Sequence, residues 1–173
     1  FQTDKELWQN AKVMEAFVKT MGKRIGPKSG TDKMFVIDGE PDAMAAEYGE
    51  YFNYFILQAY NSSGNSDLNS RFATQATHFQ QYLTPEQVAN KLIVCENFEN
   101  YAGKGGVNFW LDNGQAVPSL LGMAYWNPVY NNVTYRKGGV GTYHMEYEYN
   151  VSGKTGNYPF LRKAIQIMNP SIQ

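Results

Sequence analysis

The chain has a single cysteine, Cys95, so it cannot form an internal disulfide, and no metal-ligand spacing surrounds that residue. No segment approaches the ~20 consecutive apolar residues of a membrane-spanning helix, so no transmembrane segment is expected. Charge of one sign is not in excess: 15 Lys and Arg stand against 16 Asp and Glu, scattered along the chain for a net −1. That leaves no electrostatic footprint for nucleic acid. Gly138-Gly139-Val140-Gly141 precedes a strand instead of joining strand to helix, so it is not a dinucleotide fingerprint and no cofactor is expected. Asn61 to Asp67 carries oxygen ligands but lacks the spacing and closing Glu of a calcium loop, so no metal is expected either. His78 and His144, read as a surface and an outer-layer residue, have no Ser or Cys partner by spacing, which argues against triad chemistry.

What the chain does have is apolar and aromatic substance. Of its 173 residues 43% are hydrophobic, and 13 Tyr, 10 Phe and 3 Trp are among them. That suffices for a single globular core. Tyrosines combine an apolar face with a polar tip, which suits a sugar site and an ordinary core alike.

Periodicity sets the order of elements. Leu7, Ala11, Met14, Val18, Met21 and Ile25 form a helix stripe that Gly26-Pro27 ends. Met34 to Ile37 is a short β-branched run read as a buried strand, and Ala43 to Tyr48 as one or two helical turns. Tyr54 to Tyr60 is a second strand followed by a polar loop. Leu68, Phe72, Ala76, Phe79 and Leu83 give a second helix stripe. Thr84-Pro85-Glu86-Gln87 has the capping-box pattern and predicts a brief helix leading into a third strand, Leu92 to Glu96. After a glycine-rich loop at Gly103 to Gly106 come a helix at Ser119 to Tyr125, a fourth strand from Gly138 to about Tyr149, and a closing helix from Pro159 to Met168.

Strands that read as buried on both faces, alternating with helices, predict a parallel sheet with crossover helices. Four strands make either a small open α/β sheet or about half of a (β/α)8 TIM barrel, and the opening helix, with no strand before it, favours the half barrel. Residues 1–173 are thus read as one partial domain, the C-terminal half of the barrel, whose N-terminal half is an expected partner. Its edge strands would invite pairing with that half or with another chain. In parallel α/β folds functional side chains gather at the C-terminal ends of strands. Those positions hold Asp38, Glu40, Gln58, Tyr60, Asn61, Glu96, Asn97, Tyr143, Glu146 and Glu148, with the last two read as solvated strand-end charges.

The stretches YFNYFILQAY (Tyr51 to Tyr60), LIVCENFE (Leu92 to Glu99), GMAYWNP (Gly122 to Pro128) and GGVGTYHMEYEY (Gly138 to Tyr149) together resemble the second half of the glycoside hydrolase family 18 barrel, in its endo-β-N-acetylglucosaminidase-like branch. The resemblance implies retaining hydrolysis of glycans containing N-acetylglucosamine, with the substrate's own acetamido group as nucleophile. It gives Tyr60 the catalytic role of orienting that acetamido group. It gives Gln58, Asn61, Glu96 and Tyr143 substrate-binding roles. Asn61 stands where many chitinases carry Asp, and Tyr143 where they carry a Trp that floors the central subsite. The family's acid, the last residue of D-x-x-D-x-D-x-E, is absent from this chain. Two readings follow: half of an endo-acting glycosidase, or a catalytically inactive, lectin-like barrel that retains such glycans. Either implies a periplasmic, cell-surface or extracellular location.

Overall fold

A computed structural model describes residues 10–149, 151 and 157–170. The opening stripe becomes helix α1 (Ala11–Gly22), whose N-terminus is capped by the Asn10 side chain accepting from the Val13 N–H. Met14 and Val18 are buried on one face as the spacing requires, while Leu7 lies outside the described residues. Strand β1 (Val36–Gly39) starts two residues later than predicted, and Met34 is 63% exposed. The expected turns at 43–48 are two 3-10 segments, Pro41–Ala43 and Ala46–Tyr51. Strand β2 (Tyr54–Gln58) stops two residues short of Tyr60, which sits in the turn that follows.

Helix α2 (Asn65–Phe79) buries Leu68, Phe72, Ala76 and Phe79, with Leu83 buried just beyond it. Helix α3 (Pro85–Lys91) carries both arms of its capping box, with Thr84 Oγ1 accepting from the Gln87 N–H and Gln87 Oε1 accepting from the Thr84 N–H. Thr84→Ala is expected to cost about 1 kcal/mol of stability, the ordinary worth of an N-cap, read as a lower urea midpoint at unchanged slope. Strand β3 (Leu92–Asn97) follows directly.

Two hairpins escaped the sequence reading: β4 (Phe109–Asp112) with β5 (Gln115–Pro118), and β6 (Val129–Tyr130) with β7 (Val133–Thr134). Each turns on residues with positive φ, Asn113 and Gly114 in the first and Asn131 and Asn132 in the second, as two-residue hairpin loops demand. Helix α4 (Ser119–Tyr125) lies where predicted. The fourth sheet strand, β8 (Gly139–Tyr143), is shorter than expected, and residues beyond it form a helical turn, α5 (Glu146–Tyr149). The closing helix α6 (Pro159–Met168) has the predicted bounds.

The strands β1, β2, β3 and β8 form one parallel sheet in that order, with β1 and β2 in register from Val36 opposite Tyr54 to Gly39 opposite Leu57. The expectation of strands buried on both faces is corrected for β1 and β2, which alternate: Ile37, Phe55 and Leu57 are fully buried, while Val36, Asp38, Tyr54, Ile56 and Gln58 are half-buried. Period two decides which side chains share a face, so Gln58 and Asp38 belong to the half-covered one.

The chain divides into two compact units, the first comprising residues 1–58, 71–93 and 128–138, the second residues 59–70, 94–127 and 139–173. In the first, an aromatic row runs from Phe17 through Phe35, Phe52 and Phe55 to Phe79, with the last two rings stacked at 5.1 Å. In the second, Phe98, Ala102, Leu120, Ala124 and Ala164 form the core, with Phe160, Leu161 and Met168 of α6 packed on it.

Candidate functional site

In the first unit the polar strand ends meet. Gln58, the last residue of β2, donates from Nε2 to Asp38 Oδ2 at 3.2 Å, because adjacent parallel strands in this register bring the two side chains onto the same face. Asp38 Oδ1 is buried and has no hydrogen-bond partner. An ionised carboxylate accepts only, so this oxygen suits a ligand O–H or N–H. Arg71 braces the ends of both strands by donating from Nη1 to the Gln58 carbonyl at 3.3 Å and to Glu40 at 3.5 Å. Asp38 was among the strand-end positions legible in the sequence, but only the free oxygen distinguishes it from Glu40.

In the second unit the turn after β2 presents Tyr60, and β8 ends at Tyr143. Their rings lie 6.1 Å apart at 40°, a tilted pair within the range of favourable aromatic contacts. Tyr60 is half-buried, whereas Tyr143 is 47% exposed and has its backbone held by its carbonyl, which accepts from the Phe98 N–H at 2.7 Å. The aromatic surface continues outward: the His144 ring meets Tyr143 edge-on at 4.0 Å and stacks on Tyr147 at 4.8 Å, while its Nδ1 pairs with Glu146 at 2.9 Å. His78, expected at the surface, is half-buried and bonds the Met44 carbonyl through Nε2 at 2.7 Å. Asn61 is exposed beside Tyr60 in sequence.

Glu96, near the end of β3, is placed differently from an open strand-end carboxylate, being 1% exposed. Its Oε1 accepts from the Asn97 N–H at 2.7 Å, and its carboxylate also takes hydrogen bonds from Ser119 and the Val107 N–H. Ser119 Oγ in turn accepts from the Asn108 N–H at 3.3 Å. Gly106, at φ +130°, passes so close that a Cβ there would lie 2.2 Å from Ser119 Oγ and 2.8 Å from Glu96 Oε2. Both the backbone angle and the space exclude a side chain at 106. The glycine-rich run was legible only as a loop. That it closes over a carboxylate depends on Ser119, 23 residues along the chain from Glu96.

Burial pushes the Glu96 carboxyl up to about 7, against the hydrogen bonds from Ser119, Asn97 and Val107, which pull it down. A raised folded-state value means that the folded chain binds the proton more tightly than the unfolded chain. This contribution is complete below about 4.5 and is lost as pH rises through about 7. Glu96→Gln is therefore expected to flatten the decline in stability between pH 4.5 and 7. The full span in the parent is about 3–4 kcal/mol at most, from 1.36 kcal/mol per pH unit. Urea unfolding of both proteins at pH 4.5, 6 and 7.5 checks this, and parallel profiles would contradict it.

The other strand-end carboxylates also separate. The reading of Glu146 and Glu148 as solvated charges on a strand is corrected for Glu148: it is fully buried on α5 and accepts from the backbone N–H groups of Phe160 and Leu161. Glu146 is exposed and pairs with His144. Among the described residues no group of three or more His, Cys, Asp or Glu is arranged to hold a metal. Among them, too, no helix is long and apolar enough to cross a membrane.

The model of the family described as Glycoside hydrolase family 18, BT1044-like, matches residues 1–167. Endo-beta-N-acetylglucosaminidase F2 of Elizabethkingia meningoseptica is 29% identical over 163 residues, which are 90% of this chain and 45% of that protein. A solved structure of BT1044 superposes with a TM-score of 0.71 at 26% identity, covering 92% of this chain and 45% of the other. An endo-beta-N-acetylglucosaminidase of Cordyceps militaris, a mutant in complex with fucosyl-N-acetylglucosamine-Asn, shares the fold with a TM-score of 0.68 at 22% identity, covering 98% of this chain and 54% of that one. The chain thus spans about half the length of the proteins it matches.

Proposed function

The chain belongs to glycoside hydrolase family 18, as half of a TIM barrel related to endo-β-N-acetylglucosaminidases, and on that premise we propose that its strand ends serve the hydrolysis of glycans containing N-acetylglucosamine. The observation that carries this reading is the pairing of Tyr60 with Tyr143 at the ends of two sheet strands, one phenol half-buried and one ring open to solvent. Such a pair offers a hydroxyl to hold an acetamido carbonyl and a face for the apolar side of a sugar ring.

The roles divide as follows. Tyr60 donates to the acetamido carbonyl and holds its oxygen in line with the anomeric carbon. That oxygen attacks as the glycosidic bond breaks, and water later opens the cyclic intermediate with net retention. Within the first unit by itself, Gln58 and Asp38 are the groups suited to a sugar hydroxyl or amide N–H. Tyr143 supplies the stacking face and Asn61 a polar rim, while Glu96, sealed beneath Gly106, serves by holding the loop in place. The proton donor comes from outside this chain, which carries no D-x-x-D-x-D-x-E motif. The N-terminal half of the barrel is where it belongs. The proposed activity on glycans implies a periplasmic, cell-surface or extracellular location.

The test is to incubate the full-length protein with an N-glycan and with a chitooligosaccharide and to follow released sugars by mass spectrometry. Cleavage between two N-acetylglucosamine units is the expected result. Binding without turnover would establish the lectin-like reading instead, and neither binding nor turnover would overturn both.

A further inference from the structure

A polar hollow lies in the first unit, away from the strand ends. It is a cleft of about 220 Å³ formed by the last turn of α1, the turn at Lys28, the 3-10 segment Ala46–Tyr51 and Tyr82. The 3-10 segment runs into the start of β2, whereas Gln58 stands at that strand's other end.

The charges of its wall balance. Lys28 donates to Glu50 at 2.8 Å and holds its ammonium 4.7 Å above the centre of the Tyr51 ring. Lys19 bonds Glu15 one helical turn away, and Glu47 bonds the phenol of Tyr48. Two lysines therefore face two glutamates in the wall itself. An anion entering meets Glu47 and Glu50, and a cation meets Lys19 and Lys28. A neutral polyol meets donors and acceptors in equal measure. An ammonium has three donors and a carboxylate about four lone-pair sites, so pairs such as Lys28–Glu50, each about two-fifths exposed, retain capacity for a ligand. Tyr82, 37% exposed, adds an aromatic face. The volume is below the ~300–1,000 Å³ of pockets for drug-sized ligands, which limits the occupant to about one ring.

We propose that this cleft is a second binding site, accepting one pyranose unit of a neutral carbohydrate against Tyr82 and the Lys28–Glu50 pair. It would anchor a glycan or glycoprotein at the opposite end of β2 from Gln58. The argument rests on the cleft's own walls and stands apart from the strand-end reading.

The experiment uses the full-length protein carrying Gln58→Ala, which impairs the strand-end site, with tyrosine rings labelled for NMR. Methyl β-N-acetylglucosaminide, maltose and, as an anion, inorganic phosphate are titrated in turn. Saturable shifts of the Tyr51 and Tyr82 rings with a neutral sugar are expected. Tyr82→Ala or Lys28→Ala is expected to weaken binding, read on Tyr51, roughly tenfold. In an otherwise unaltered protein, the same two surface substitutions leave turnover of a small soluble glycan unchanged. No shift, shifts indifferent to both substitutions, or stronger binding of phosphate than of either sugar would each overturn the proposal. Sugar binding here in a protein that cleaves nothing would sink only the strand-end reading.

Discussion

Tyr60→Phe in the full-length protein is expected to lower kcat for glycan cleavage by roughly two to three orders of magnitude, the usual loss when a donor aimed at a reacting oxygen is removed. The substitution deletes one hydroxyl and leaves the ring, so the tilted contact with Tyr143 at 6.1 Å survives. On the proposed reading KM should change little, because the Tyr60 and Tyr143 rings remain for the sugar, and the deficit appears in alignment of the acetamido oxygen. Unchanged thermal unfolding would separate this from a folding defect. A loss below about fivefold, with kcat measured at saturating substrate, would remove Tyr60 from the chemistry.

The second large effect concerns stability. Glu148→Ala is expected to destabilise the protein by about 4 kcal/mol, from two hydrogen bonds to a charged acceptor at about 2 kcal/mol each. Helix α6 begins at Pro159 with Tyr158 before it, and no side chain caps it locally. Its orphan N–H groups at Phe160 and Leu161 are met instead by the carboxylate of Glu148, 12 and 13 residues upstream and fully buried. The positive end of the helix dipole favours a carboxylate there. Alanine takes the acceptor from both part-buried donors, while Glu148→Gln keeps one acceptor and should recover about half of the loss. Urea unfolding of the three proteins measures this, and an Ala variant within about 1 kcal/mol of the parent would contradict the capping role.

These predictions rest on different degrees of legibility. Helices α2, α3, α4 and α6 could be read from the chain because their causes are local: a stripe every three or four residues, a Thr84 and Gln87 capping box, and prolines at the first turns of α3 and α6. The strands were found but misplaced at their ends. β1 slipped by two residues and β2 stopped at Gln58, since strand ends depend on where neighbours stop pairing. Past Tyr143 the alternation of Tyr and Glu imitated a strand, yet residues 146–149 turn into helix α5, with Glu148 bound to the backbone of Phe160. Both hairpins went unread because their arms, at two to four residues, are too short for period two to emerge.

The sequence by itself determined that this is an α/β chain with four sheet strands and that it belongs with half of a family 18 barrel. Periodicity, caps and ordered motifs act over a few residues, and local physics enforces them. Tertiary structure alone decided which strand-end groups are available. Asp38 keeps a free oxygen beside Gln58, and Tyr60 finds Tyr143 more than 80 residues away. Glu96 is sealed beneath Gly106, and Glu148 leaves the solvent to cap a helix. A carboxylate's availability depends on what packs over it, and its covering atoms come from distant parts of the chain that no local pattern records.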